Sequence, residues 1–221
     1  MIQELKHAQG TLTEDEIRKF WTAMTRSFPK ICVNDGIVIN YEKPIYLRHI
    51  NDIESKLMKC NNLHVATPLF QYCYDPKNET PHHATALTLT KLKGYFILTL
   101  FDPKGKGSLK IKEEKYIMEK LAEKIEKDYK TKVYINMYSG KNLQLDDDIG
   151  LCQLFSLRYL CEYIIQIKDG KKLHNNGDQW LVKITDSNNI IKHIIEKDGG
   201  FNKKTLLKFW DTYFNYLKKQ K

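Results

Sequence analysis

A cysteine, a histidine, an aspartate and a glutamine in this chain stand at positions where they could together do nucleophilic chemistry. Cys152 lies at the N-terminal end of a strongly apolar stretch, Leu151 to Ile167. A thiol becomes a useful nucleophile as thiolate, and free N–H groups with the helix dipole at a helix N-terminus favour that form. Gly150 lets the backbone turn tightly into such a helix, and the Asp146, Asp147 and Asp148 run offers a cap. Those carboxylates would oppose a thiolate, so at least one must point away. The nucleophile also needs a base, and the base a third group to hold its tautomer. His83 opens one apolar run and Asp102 closes the next, with Lys91-Leu-Lys-Gly94 between them as a turn of hairpin length. Antiparallel pairing across that turn brings both to the same end of the hairpin. Gln144, in the loop before the cysteine, has an amide that could join the Cys152 backbone N–H in stabilising an oxyanion. His82 is a rival base, since alternation lets only one of the two histidines face the cysteine; the separation from Asp102 favours His83. Cys161, mid-helix, is expected to be an inert core residue.

The elements that would carry these residues can be followed along the chain. Thr13 to Glu16 is a capping box, and Ile17, Phe20, Trp21 and Met24 then recur at helical spacing, so a helix is expected from about Glu14 to Ser27. Ile31 to Tyr41 is expected as a short strand with an Asn-Asp-Gly turn, and Ile50 to Lys59 as a short helix. His83 to Thr90 and Tyr95 to Phe101 are expected as adjacent antiparallel strands. Ile111 to Lys130 is an amphipathic helix with Ile117, Leu121 and Ile125 on one face. Lys132 to Tyr138 has the alternation of a half-buried strand. Leu151 to Ile167, apolar nearly all round, is expected as a helix buried at the centre. Helical stretches near Ile190 to Glu196 and Lys203 to Lys218 suggest a C-terminal helical extension anchored by Trp210 and Phe214. The expected fold is thus α+β: a small mixed or antiparallel sheet packed on a buried helix that starts at Cys152, with helical N- and C-terminal additions. We expect a single domain over residues 1–221, its core about 63–167 and its helical extension about 168–221.

The order His83, Asp102, Gln144, Cys152, on strand, strand, loop and buried helix, resembles the adenain and SUMO-protease clan of papain-like cysteine peptidases. The resemblance covers roughly Leu63 to Ile167. It implies His83 as base, Asp102 as its orienter, Gln144 as oxyanion donor and Cys152 as nucleophile. Ala84 stands where that clan usually has tryptophan, and Leu151-Cys152-Gln153 where it has Asp-Cys-Gly. The segment Gln144 to Phe155 also looks like the versions encoded by large DNA viruses. The implied activity is a cysteine protease that cleaves a viral polyprotein or a ubiquitin- or SUMO-like conjugate. Two alternatives stand beside it: a YopJ-type acetyltransferase using the same triad, and a non-catalytic module that binds nucleic acid or a protein.

Composition narrows the setting. The 221 residues carry 36 Lys and Arg against 27 Asp and Glu, a formal charge of +9, so a nucleic-acid partner deserves a hearing. Much of the excess lies in runs such as Lys110 to Lys132, where a solvated helix face accounts for it. Five cysteines without a CxxC pair argue against a disulfide framework and against a zinc site, and point to a reducing compartment. No stretch approaches the roughly 18 apolar residues of a membrane span, and the N-terminus lacks the apolar run of a signal peptide. The expectation is a soluble intracellular protein, in host cytoplasm or virion if viral, with no cofactor, no metal and no membrane partner.

Overall fold

The computed structural model describes residues 30–34, 36–40, 45–72, 83–104 and 111–138, together with Cys152, Ser156, Tyr159, Leu160, Tyr163, Ile164 and Ile167. The elements in order are β1 (Ile31–Val33), β2 (Ile37–Asn40), α1 (Ile45–Lys59), β3 (His64–Tyr72), β4 (His83–Leu92), β5 (Tyr95–Phe101), α2 (Ile111–Tyr129) and β6 (Lys132–Tyr138). They form a mixed α+β structure around a 6-stranded sheet. The helices expected at 14–27 and beyond residue 168 lie outside the described residues.

The β4–β5 hairpin is the spine of the sheet. Its strands pair antiparallel from Leu92↔Tyr95 to Ala86↔Phe101. Lys93 and Gly94 make the turn, and Gly94 takes φ of 88°, a left-handed conformation that suits glycine. On the far side of β5, β6 pairs in parallel, and α2 is the crossover that a parallel connection requires. On the other side of β4 runs β3, antiparallel to it.

The strand expected over Ile31 to Tyr41 is divided in two: β1 and β2 both run parallel to β3, pairing Ile31↔His64 and Ile37↔Leu69. Asn34 N–H donates to the Ala66 carbonyl at 2.9 Å. The strand β3 itself was not expected, because Pro68 interrupts an otherwise strand-like run. Pro68 pairs with Ala86 of β4 and falls in the gap between the β1 and β2 registers. A missing N–H costs least where the neighbouring edge is itself broken. Helix α1 also begins earlier than expected, at Ile45, and returns the chain from β2 to β3 in parallel.

Strand β4 is buried along its first eight residues, His83 to Thr90. Alternation divides its two faces. Leu87 and Leu89, with Leu98 and Leu100 of β5, meet Ile53 and Leu57 of α1 and Ile117, Met118, Leu121 and Ile125 of α2 in one core cluster. The opposite face carries Ala84, Ala86, Thr88 and Thr90, residues small enough to admit a closely packed element. That element carries Ser156, Tyr159, Leu160, Tyr163 and Ile164, each in helical conformation. The Ser156 hydroxyl donates to the Ala84 carbonyl at 2.8 Å, and Tyr163 OH shares a 2.7 Å hydrogen bond with Thr90 Oγ1. Tyr159 stacks on Phe101 with ring centroids 4.5 Å apart. The sheet is therefore covered on both faces over β4.

Cys32 of β1 and Cys60, just after α1, bring their sulfur atoms together, with Cα atoms 6.1 Å apart, a separation that a disulfide can span. Parallel pairing of β1 with β3 carries Cys32 beside the α1–β3 connection, a proximity that an odd cysteine count cannot reveal. Cys152 is a free, buried thiol.

Candidate active site

His83 and Asp102 meet at the open end of the β4–β5 hairpin, opposite the Lys93–Gly94 turn. His83 is the first residue of β4, and Asp102 directly follows β5. His83 Nε2 lies 2.7 Å from Asp102 Oδ1, and both residues are buried. The Lys104 backbone N–H donates to the same Oδ1 at 2.8 Å, across Pro103. This Asx-type turn holds the carboxylate while the imidazole presents its N–H to it. His82 lies outside the described residues, as does Gln144.

Cys152 adopts helical conformation and is 7% exposed. Its thiol lies close enough to the His83 ring to favour the charged imidazole. His83 Nδ1 is buried without a hydrogen bond of strict geometry among the described residues. With Nε2 committed to Asp102, Nδ1 is the nitrogen left to serve the thiol. Burial alone would drive His83 toward its neutral form. The hydrogen bond to Asp102, the interaction with Cys152 and the negative charge of Asp102 outweigh that penalty and raise the histidine to about 10.

What holds the cysteine, base and acid in register is a set of contacts one residue away. Ser156, one helical turn beyond Cys152, is tied to Ala84, the neighbour of His83. Tyr159, a further turn along, is stacked on Phe101, the neighbour of Asp102. Cys152, Ser156, Tyr159 and Tyr163 follow the spacing of one helix face. Three contacts along that face therefore anchor the segment to both strands of the hairpin.

Glu114 completes the surroundings. It is 2% exposed, and His83, Asp102 and Glu114 each offer a nitrogen or oxygen within 4.8 Å of the others.

No protein-family model matches this chain, and no curated protein matches it. Among solved structures it is similar to the ASFV pS273R protease, with a TM-score of 0.49 and 14% identity over 72% of this chain. The chain spans 59% of that protease's length. It is also similar to ChlaDub1 from Chlamydia trachomatis, with a TM-score of 0.49 and 11% identity, over 70% of this chain and 79% of that one. A third is the SUMO protease Ulp1 with its catalytic cysteine oxidised to a sulfinic acid, with a TM-score of 0.43 and 12% identity, over 78% of this chain and 73% of that one.

Sequence reasoning missed Ser156, Tyr159 and Glu114. For the first two the signal was a polar hydroxyl and an aromatic at i+4 and i+7 from Cys152 on an apolar helix. For Glu114 it was a carboxyl three residues before Ile117, on the face of α2 that otherwise reads as core.

Proposed function

We propose that this protein is a cysteine peptidase in which Cys152 is the nucleophile, His83 the base and Asp102 the group that orients it. The observation that carries the reading is the buried His83 Nε2 to Asp102 Oδ1 hydrogen bond of 2.7 Å, with the only free thiol among the described residues beside the same ring. A structural histidine in a strand gains little from a buried carboxylate on one side and a thiol on the other. A nucleophile and its base need that arrangement.

In the reaction the Cys152 sulfur attacks the carbonyl carbon of a peptide or isopeptide bond, and the carbonyl oxygen becomes an oxyanion. The imidazolium of His83 gives its proton to the leaving amine, and a thioester to Cys152 remains. Neutral His83 then takes a proton from water, whose oxygen attacks the thioester. Collapse of the adduct expels the sulfur as thiolate and releases the carboxylic acid, and the proton kept on His83 restores the starting pair. Asp102 keeps the ring oriented and balances its positive charge throughout. In this reading the helix begins at Cys152, so that the cysteine N–H and the Gln144 amide can bind the oxyanion. The substrate class that goes with this site is a ubiquitin- or SUMO-like conjugate or a polyprotein.

Ubiquitin and SUMO vinyl-sulfone probes, with iodoacetamide as an unselective control, test the reading. Native protein is expected to label at Cys152, and Cys152→Ala to abolish labelling. His83→Ala is expected to slow it by about 10²-fold or more. Iodoacetamide reaction at Cys152 that is indifferent to His83→Ala would sink the proposal. A preference between the two probes would identify the conjugate.

A further inference from the structure

Cys32 and Cys60 are sulfur-bearing residues that the peptidase reaction does not use. They come from separate elements, and each stands on backbone that is fastened without help from sulfur. Cys32 lies in β1 opposite Val65 of β3. Cys60 follows α1, and its carbonyl accepts a hydrogen bond from the Lys91 ammonium of β4, while the Lys91 backbone N–H donates to the Leu63 carbonyl at 2.8 Å. The two Cα atoms are 6.1 Å apart, inside the range that a disulfide bridges, so the bond can close on this backbone as it stands.

The opened pair is equally provided for. Asn34 Oδ1 lies 3.6 Å from Cys32 Sγ and 3.4 Å from Cys60 Sγ, placed to accept a hydrogen bond from either thiol. Asn34 is itself fixed, by its backbone N–H on the Ala66 carbonyl at 2.9 Å and by its Nδ2 at 3.5 Å from the Lys56 carbonyl of α1. Two sulfurs that served only as apolar filler against the core would have no use for that amide oxygen. Both cysteines are only partly buried, so a small disulfide in solution has access to them.

We propose that Cys32 and Cys60 form a reversible thiol–disulfide exchange site, oxidised by a small disulfide of the glutathione class and reopened by the corresponding thiol, with Asn34 stabilising the dithiol. The thiolate of one cysteine attacks a sulfur of glutathione disulfide and expels one glutathione thiolate. The second protein thiolate then attacks the protein sulfur of that mixed disulfide, forms the Cys32–Cys60 bond and expels the other. The pair gives up two electrons and two protons, which leave on two molecules of glutathione. The exchange goes beyond the peptidase reading and does not depend on it. It ties the β1 edge to the end of α1 in oxidising surroundings and frees it in reducing ones.

To test it, the full chain is equilibrated over a series of ratios of reduced to oxidised glutathione, quenched with acid and alkylated, and the peptides bearing Cys32 and Cys60 are read by mass spectrometry. Both cysteines are expected to pass together from dithiol to disulfide in a single transition that is retraced when the series is run in reverse. In Cys32→Ser, Cys60 has lost its partner and is expected to end as a mixed disulfide with glutathione. Asn34→Ala removes the acceptor that favours the dithiol. Its midpoint is therefore expected at a ratio of squared reduced to oxidised glutathione about 3- to 10-fold more reducing than in wild type. Loosening of the fold common to both states cancels from that midpoint, so a merely structural role for Asn34 leaves it in place. Dithiol that persists in glutathione disulfide alone would overturn the inference. So would a bond that persists in excess reduced glutathione, stable mixed disulfides on both wild-type cysteines, or an unmoved midpoint in Asn34→Ala. Where Asn34→Ala does not fold, the wild-type titration still decides. None of these readings involves Cys152, so failure of the vinyl-sulfone test and failure of this one are told apart.

Discussion

At the scale of the residue, the unusual group is a histidine that keeps its proton although it is buried. Its pKa lies near 10, against an ordinary value of 6.5, chiefly because Asp102 and Cys152 overcome the burial penalty. The folded protein therefore binds a proton at His83 that the unfolded chain releases between pH 6.5 and about 10. The resulting stability is fully present below pH 6.5, declines through that window and is gone above it. Melting temperature is expected to fall from pH 6.5 to pH 10 more steeply in wild type than in Asp102→Asn, which lacks the carboxylate that holds the proton. Equal slopes in the two proteins would mean that His83 titrates without Asp102. The pairing of these residues could be read from sequence, because a hairpin with a short turn brings its two ends together. The choice of His83 over His82 rested on its separation from Asp102, and His83 is the histidine bonded to that carboxylate. Glu114 was illegible as a site residue, since helical periodicity marks it as inward-facing but says nothing of which strand end it reaches.

At the scale of the element, Ser156, Tyr159 and Tyr163 fasten one helix face across the hairpin. Its Ser156 hydroxyl, buried against the Ala84 carbonyl, is the contact nearest the site. Ser156→Ala leaves that carbonyl without its side-chain donor and is expected to cost about 1–3 kcal/mol, a melting temperature lower by several degrees. Labelling of Cys152 should slow as well, beyond what the population of unfolded protein explains. Unchanged labelling in a destabilised Ser156→Ala would show that the cysteine is held from elsewhere. Strongly patterned elements were legible: β4, β5, α2 and β6 all occur where alternation or helical spacing put them. Strand β3 was not, because Pro68 argues against a central strand unless the broken β1–β2 edge beside it is known. The Asn-Asp-Gly tripeptide, expected as a turn within a short strand, falls between β1 and β2.

At the scale of the molecule, the sheet has its ends fastened differently. The β1 edge carries the Cys32–Cys60 pair, 28 residues apart in sequence and close enough to close a loop as a disulfide. Chain-entropy arguments give such a loop about 3–4 kcal/mol of stabilisation. Reduction, or Cys32→Ser, is accordingly expected to lower the melting temperature by roughly 10 °C. No change on reduction would mean that the bond adds nothing to the folded state. Charge is also distributed otherwise than the total of +9 suggests. On α2, Lys115, Lys120 and Lys124 each pair with an acid on the same helix. That face is a mixture of signs rather than a stripe for phosphates, and exposed pairs of this kind add little to stability. Among the described residues no helix is long and apolar enough to cross a membrane.

The Lys93–Gly94 turn closes the hairpin at the end opposite His83 and Asp102, the full length of β4 away. Ten extended residues span about 30 Å. Lys93 and Gly94 are exposed, and a side chain added at Gly94 would meet no atom within 4 Å. The turn is thus a natural handle. A dye, an affinity tag or a surface tether attached at Lys93 would report on or immobilise the protein from the side away from its chemistry.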